Sequence, residues 1–181
     1  MFMRSERLFL RPGWPEERDE LFARFGAQAF ADARVCATAP DRVERFPRFL
    51  VTLPSAEGSE TIGCLDLVAA QRDAEVECWI APHRRGQGYA TEALRAVKPL
   101  AALLGHRRLF GRHLLGNAAQ GRVLVKAGFR PTGTVQPCRT TGGCTQGYVT
   151  TLSPSDRDGD GDDAGPGMNG RGRVAGQMRA A

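Results

Sequence analysis

The segment that most constrains this 181-residue chain is a predicted strand that enters a glycine-bearing turn and then a long helix. The turn has the sequence Arg84-Arg85-Gly86-Gln87-Gly88. The two glycines have no Cβ atom to block a ligand that approaches the backbone. Because the first amides of a helix lack intrahelical acceptors and carry the positive end of its dipole, the turn indicates an anion site. Its glycine spacing matches neither a Walker A loop nor a GxGxxG dinucleotide motif.

The surrounding pattern predicts an α+β fold around a mixed sheet. Hydrophobic periodicity and turn residues predict strands at 7–11, 49–53, 61–68, 75–81, 108–115, 129–135 and 146–152. Helices are predicted from Pro15, with Leu21, Phe22 and Phe25 on one face, across 90–104, and from an N-cap at Asn117 to about Gly128. Residues 28–46 give no clear pattern.

The last part of the chain differs in composition from the rest. Residues 153–163 have no apolar residue able to anchor them, and the chain from there to residue 181 is rich in Gly, with Pro, Asn and Arg. This composition predicts a disordered tail at 153–181 after a folded domain of residues 1–152. The tail has four arginines and five aspartates and therefore a net charge of −1. Because the whole chain has a net charge of +5, the domain has +6. The tail's Asp156–Asp162 stretch matches half of a calcium loop, but Gly167 replaces the required Glu, so no functional metal site is expected.

Several functional classes are disfavoured by the sequence. No apolar run approaches the roughly 18 to 20 residues that span a bilayer, and the N-terminus lacks the apolar core of a secretory signal. Five cysteines without a CxxC pair predict reduced thiols in a cytoplasmic protein. The basic charge comes from 23 arginines and two lysines, which fits either compositional bias or phosphate recognition. A nucleic-acid partner is not expected, because no RNA- or DNA-binding motif is present.

Three motifs in order along the chain carry a family resemblance. They are Ser5-Glu6-Arg7-Leu8-Phe9-Leu10-Arg11-Pro12, the glycine turn with its flanking strand and helix, and Asn117 followed by Arg122-Val123-Leu124 and Lys126-Ala127-Gly128-Phe129. Together they resemble the GNAT superfamily of N-acetyltransferases over residues 4–152, and most of all the branch typified by the ribosomal-protein N-terminal acetyltransferases. The resemblance implies a GNAT fold, with a central mixed and splayed β-sheet flanked by helices.

The resemblance also implies an enzyme that transfers an acetyl group from acetyl-CoA to a primary amine without a metal. The turn would wrap the pyrophosphate, the strand before it would pair with the pantetheine arm, and Asn117 would lie near the thioester. The cofactor-binding residues implied are Trp79, Ile80, Ala81, Arg84, Arg85, Gly86, Gln87, Gly88, Tyr89, Ala90, Asn117 and Lys126. Lys126 serves equally well as part of an ordinary helix end.

The catalytic residues are less well defined. Glu75 is the candidate base, at a position where the family often has Glu, and Glu77 shares its face of the strand; either also fits a solvated strand carboxylate. His113 fits a proton relay or a structural histidine. The Tyr that protonates the leaving thiolate in many family members is Leu124 here, and the branch's Ser is Gln120. These departures leave open a degenerate domain that binds an acyl-CoA without efficient catalysis.

The acceptor follows only in outline from proton chemistry. An α-amine, with a pKa of about 7.7 to 8.0, is roughly a tenth neutral at pH 7, whereas lysine, with a pKa of about 10.4, is neutral at below about 0.1%. A site with a weak acid–base pair therefore favours a protein N-terminus or a small-molecule amine as partner. The resemblance leaves a homodimer open.

Overall fold

The computed structural model describes residues 2–17, 20, 23, 25, 26, 49–56, 58–138 and 142–153. Eight strands are β1 (Met3–Arg4), β2 (Phe9–Pro12), β3 (Phe49–Ser55), β4 (Gly58–Ala70), β5 (Asp73–Ile80), β6 (Arg108–Leu114), β7 (Arg130–Pro137) and β8 (Cys144–Thr151). The helices described along their whole length are α1 (Tyr89–Leu103) and α2 (Ala118–Lys126), with short 3-10 turns at Pro15–Glu17 and Pro82–Arg84. Glu20, Ala23 and Phe25 are also helical.

The strands form one mixed sheet in the order β1-β2-β3-β4-β5-β6-β8-β7. Every pairing is antiparallel except that of β5 with β6. The parallel pairing spans only three residues, from Asp73 opposite Arg108 to Glu75 opposite Phe110, although both strands continue beyond it. The sheet therefore splays between β5 and β6. This confirms the predicted α+β GNAT fold with its central mixed and splayed sheet.

The core lies on both faces of β5. On one face α1 packs its buried residues Ala93, Leu94 and Val97 against Leu67 and Val76 of the sheet. These three residues share one face of α1 because Val97 follows Leu94 by three positions and Ala93 by four. Pro99 stands inside α1 without ending it.

A second, smaller cluster covers the opposite face. It joins Leu50, Cys64, Trp79 and Ala81, with Phe25 packed edge-on against Trp79 at 5.4 Å between ring centroids. The odd-numbered residues of β5, including both candidate catalytic carboxylates, belong to this face. The core and the second cluster together hold β5 in place beyond Glu75, where its pairing with β6 ends.

Most predicted elements are found, with two differences. At Pro15 the described residues form a 3-10 turn, and the Glu17 carboxylate accepts a bond from the Trp14 amide (3.0 Å) and pairs with Arg11. Of the predicted helical face, Phe25 is helical, as are Glu20 and Ala23, whereas Leu21 and Phe22 lie outside the described residues. The final strands begin one or two residues away from their predicted starts, and β7 is exposed along its whole length. Residues 28–46 and the tail from residue 154 also lie outside the description.

The described residues contain no helix long and apolar enough to cross a membrane. The four described cysteines, Cys64, Cys78, Cys138 and Cys144, form no disulfide with one another.

Candidate functional site

A cleft of about 920 Å³ opens at the splay of the sheet. Its walls are residues 76–80 of β5, the turn and first two turns of α1, the end of β6 and much of α2. The cleft exists because the β5–β6 pairing ends at Glu75 and Phe110. Backbone groups of β5 beyond that point have no β6 partner, so an extended ligand has room to pair with them.

Most of the residues implied by the family resemblance line this cleft. Those on it are Glu77, Trp79, Ile80, Arg84, Arg85, Gly86, Gly88, Tyr89, Ala90, Asn117 and Lys126. Three do not line it. Ala81 is buried in the second cluster, the Gln87 carbonyl accepts bonds from Arg7, and Glu75 pairs with Arg112.

The glycine turn has the backbone shape that its sequence predicts. Gly86 and Gly88 have φ angles of 78° and 85°, in the left-handed region that glycine enters without strain. A Cβ atom at Gly86 would meet nothing within 4 Å, so open space faces the turn. Gly88 is the N-cap of α1 and offers no side-chain cap. The first amides of α1 are thus left for an external acceptor.

The two arginines of the turn are held differently. The Arg84 guanidinium pairs with Glu60 of β4, and this hydrogen bond lowers the pKa of Glu60, with His83 adding a weaker bond. Arg85 donates from Nε to the Ile80 carbonyl (2.8 Å). It has no carboxylate partner among the described residues. Within the described part of the chain, Arg85 is therefore the arginine of the turn whose charge no carboxylate neutralises.

A residue far from the turn in sequence also contacts it. Arg7 donates to the Gln87 carbonyl from both Nη1 (3.3 Å) and Nη2 (3.2 Å), and from Nε to Glu92 of α1 (2.8 Å). Its guanidinium lies 4.7 Å from the centroid of the Tyr89 ring. Glu92 also accepts bonds from the Ser5 hydroxyl (2.7 Å) and the Arg7 amide (2.8 Å). Desolvation raises the pKa of Glu92, but these bonds outweigh it and leave the pKa below its ordinary value.

The start of α2 forms the other end of the cleft. Asn117 caps the helix by accepting a bond from the Gln120 amide (3.2 Å). Leu124 is buried one turn further along and packs on Gly111 of β6, where an added Cβ would lie 2.6 Å from its Cδ2. An apolar side chain thus occupies the position where many family members have a tyrosine.

The two candidate catalytic carboxylates have different surroundings. Glu75 is buried and pairs through Oε1 with Arg112 Nε (2.8 Å), while Arg112 Nη1 donates to Gln136 (2.7 Å). Glu77 lies two residues further along β5, opposite Asp66 of β4, and lines the cleft. Glu77 is the better placed of the two to meet a ligand in the cleft.

The candidate His113 does not line the cleft, and the thiol of Cys78, which does, is poorly reactive. His113 Nδ1 bonds the Leu114 carbonyl (2.7 Å) and Nε2 faces the Tyr148 hydroxyl (3.3 Å), with both rings buried. Desolvation raises the pKa of the Cys78 thiol, with Cys64 and Asp66 adding to it, which disfavours a nucleophilic thiolate. Among the residues described, no group of three or more His, Cys, Asp or Glu could hold a metal ion.

Cations outnumber carboxylates along the cleft. Its lining holds seven basic side chains, Arg7, Arg84, Arg85, Arg95, Arg112, Arg122 and Lys126, against three carboxylates, Glu6, Glu77 and Glu92. Sequence reasoning missed the roles of Arg7, Arg95, Arg112 and Arg122. The positions of Arg95 on α1 and Arg122 on α2 could have indicated that they face the cleft. Arg7 and Arg112 reach the cleft only through tertiary contacts, which a local pattern does not show. The excess positive charge suits a ligand with several phosphates.

The site thus combines a mixed sheet that parts between two parallel strands with a glycine turn that opens a helix beside the gap. The model of the acetyltransferase (GNAT) domain family matches residues 2–130. The chain therefore belongs to the GNAT acetyltransferase family. No curated protein matches the chain.

Solved structures share this fold. A GNAT-family acetyltransferase from Bacillus anthracis is similar at 20% identity and a TM-score of 0.64, over 84% of this chain and 99% of that one. Spermidine N-acetyltransferase from Vibrio cholerae, solved with CoA and spermine, is similar at 15% identity and 0.59, over 81% and 96%. The microcin C7 self-immunity acetyltransferase, solved with acetyl-CoA and AMP, is similar at 12% and 0.62, over 81% and 93%.

Proposed function

We propose that this protein transfers the acetyl group of acetyl-CoA to a primary amine, either a protein N-terminus or a small-molecule amine. The observation that carries the proposal is the meeting of three features in one cleft: the unpaired part of β5, the glycine turn that opens α1, and an excess of basic side chains. An acyl-CoA has complementary features, namely an extended amide-bearing arm, a pyrophosphate and a further phosphate.

In this proposal two parts of the cleft bind the acetyl donor: one receives its phosphates, and the edge of β5 receives its pantetheine arm. The amides that open α1 receive the pyrophosphate, and Arg85 adds a charge that no neighbouring carboxylate neutralises. Arg95, Arg122 and Lys126, on the faces of α1 and α2 that line the cleft, attract the further phosphate. The free edge of β5 pairs with the pantetheine arm, and one of its amides stabilises the charge that develops on the thioester oxygen.

Proton transfer is assigned to Glu77. It lines the cleft on the face opposite α1, whereas Glu75 holds Arg112 in place. Glu77 accepts the proton that the amine loses as its nitrogen attacks the acetyl carbon, and the sulfur of CoA leaves with the C–S electron pair. An α-amine needs less help than lysine, because a larger share of it is already neutral at pH 7.

One observation favours a second candidate function. Leu124 provides no proton donor for the leaving thiolate. Of the two tyrosines of the chain, Tyr89 lines the cleft but lies under the Arg7 guanidinium, and Tyr148 is packed against His113. A domain with this arrangement would bind acyl-CoA and turn it over slowly or not at all. The finer assignment to the branch of ribosomal-protein N-terminal acetyltransferases belongs to the first candidate only.

The test measures acetyl-CoA binding by calorimetry and thiol release with peptides, polyamines and aminoglycosides as acceptors. We expect binding by the wild type, and a loss of tenfold or more, about 1.4 kcal/mol, in Gly86→Glu, since a carboxylate then faces the phosphates. Gly105→Glu is the matched control, because Gly105 has a similar φ of 88° with nothing within 4 Å and does not line the cleft.

Each result separates the candidates. Thiol release that depends on an added amine supports the transferase, and binding without release by any acceptor supports the binding domain. Equal affinity for acetyl-CoA in Gly86→Glu and wild type contradicts both.

A further inference from the structure

We propose that Arg7 is a positioning residue that holds the turn from Gly86 to Tyr89 in the shape that receives the pyrophosphate of acetyl-CoA. The inference rests on the proposed function and extends it to a residue in the N-terminal segment. Arg7 lies between β1 and β2 and is separated from the turn by about 80 residues of sequence.

The first step is that one guanidinium makes three contacts at once with the turn and the start of α1. Its two Nη atoms donate to the Gln87 carbonyl, its Nε donates to Glu92, and its plane lies over the Tyr89 ring at 4.7 Å. These contacts use the fork geometry of arginine, with its several donors fixed in one plane. A lysine has a single ammonium and cannot satisfy all three positions together.

The second step concerns the direction of a peptide group. In a trans peptide the C=O and the following N–H point in opposite directions. The two bonds from Arg7 therefore fix the Gln87 carbonyl on the side of Arg7 and turn the Gly88 amide away from it. Both glycines of this turn adopt positive φ and move easily to other conformations, so without such an anchor the turn would lose its shape.

The third step separates position from charge. Arg7 is neutralised by Glu92, and their Nη2–Oε2 distance is 2.7 Å. Glu92 is held in turn by the Ser5 hydroxyl and the Arg7 amide. Because the pair adds no net charge at the mouth of the cleft, its contribution to phosphate binding is the geometry of the turn and not long-range attraction.

The first experiment uses the free protein and needs no ligand. Hydrogen exchange is measured on the backbone amides of residues 86–90 in wild type, Arg7→Ala and Arg11→Ala. Arg11 is the matched control because it also lies near the N-terminus and pairs with one carboxylate, Glu17, but does not line the cleft. We expect at least tenfold faster exchange at 86–90 in Arg7→Ala and no change there in Arg11→Ala.

The second experiment compares two acetyl donors. Acetyl-CoA has the phosphates and S-acetylpantetheine lacks them, so only the first depends on the turn. We expect Arg7→Ala to weaken acetyl-CoA binding about tenfold and to change S-acetylpantetheine binding by less than twofold. Arg7→Lys should behave like Arg7→Ala, whereas Arg11→Ala should bind both donors as the wild type does.

The outcomes decide the inference separately from the proposed function. Unchanged exchange at 86–90 in Arg7→Ala overturns it, whatever the wild type binds. Equal losses for the two donors assign Arg7 a general structural role, and full affinity in Arg7→Lys assigns it a role through charge; both overturn positioning. A wild type that binds no acetyl-CoA contradicts the proposed function, and the inference with it, even if the exchange pattern is as expected.

Discussion

The two helices that border the cleft begin in different ways. α1 follows Gly88, which has a φ of 85° and provides no side-chain cap. α2 follows Asn117, whose side chain accepts a bond from the Gln120 amide. α2 therefore satisfies one of its own unpaired amides, while α1 leaves its first amides for something outside the helix. An anion is therefore the natural partner for the uncapped start of α1 and not for the capped start of α2.

The helices also differ at the fourth residue after the cap. In α1 this residue is Glu92, which reaches out to Ser5 and Arg7. In α2 it is Gly121, which lets the side chains of His113 and Tyr148 approach the helix backbone. The uncapped helix is thus stabilised by a distant segment of chain, and the capped helix by close packing on the sheet. The start of α1 is therefore the end of the cleft suited to bind a ligand, and the start of α2 is the end that contributes to the stability of the fold.

The largest predicted effect tests the packing of α2. In Gly121→Ala the new Cβ would lie 2.9 Å from His113 Nε2 and 3.2 Å from the Tyr148 hydroxyl. Alanine favours a helix over glycine by about 1 kcal/mol, but both His113 nitrogens have partners, so its ring cannot easily move. We expect a net loss of about 2 kcal/mol in the free energy of unfolding, measured by chemical denaturation.

Gly116→Ala is the control for this change. Gly116 lies just before α2, and a Cβ there would meet nothing within 4 Å. Its free energy of unfolding should stay within about 0.5 kcal/mol of wild type. A Gly121→Ala variant as stable as Gly116→Ala would show that α2 is not held by close packing.

The next prediction uses pH to test the bonds that join Glu92 of α1 to Ser5 and Arg7. Glu92→Gln should lower the free energy of unfolding by about 1.5 kcal/mol at pH 7, because it weakens bonds to a charged acceptor. The pKa of Glu92 is lowered in the folded state. Its contribution is therefore fully present above the unfolded pKa of about 4.5 and is lost as the pH falls through the folded value.

The measurement compares the stability of wild type and Glu92→Gln between pH 7 and pH 3. The difference between them should shrink as the pH falls below about 4.5. Glu16→Gln, which changes a carboxylate near the N-terminus that is exposed, should differ little from wild type at any pH. A constant difference for Glu92→Gln would mean that its role is independent of charge.

Features set by neighbouring residues were predictable from the sequence. The hairpin of β3 and β4, the run from β5 through the glycine turn into α1, and the cap at Asn117 follow from local periodicity and turn chemistry. They are found where they were predicted. At Pro15, where a proline and two acidic residues predict the start of a helix, the described residues form a 3-10 turn, and Glu20, Ala23 and Phe25 beyond it are helical. The bonds of Glu17 to Arg11 and to the Trp14 amide could not be read from that local pattern.

Features that depend on distant residues were not predictable. Arg84 and Arg85 look alike in the sequence, but only Arg84 meets a carboxylate, because Glu60 lies on β4 beside it. Glu75 and Glu77 share a face of β5, and only the contact with Arg112 of β6 distinguishes them. These pairings come from strand order, which a local pattern does not contain.

The smallest predicted effect returns to the cap of α2. Asn117→Ala removes the bond to the Gln120 amide and should cost about 1 kcal/mol in the free energy of unfolding, while Asn117→Ser should retain most of the stability. Calorimetry on the same variants then compares the two helix ends. Acetyl-CoA affinity should fall much less in Asn117→Ala than in Gly86→Glu. A variant as stable as wild type that loses acetyl-CoA tenfold would mean that Asn117 serves the ligand and not the helix, and the contrast between α1 and α2 would fail.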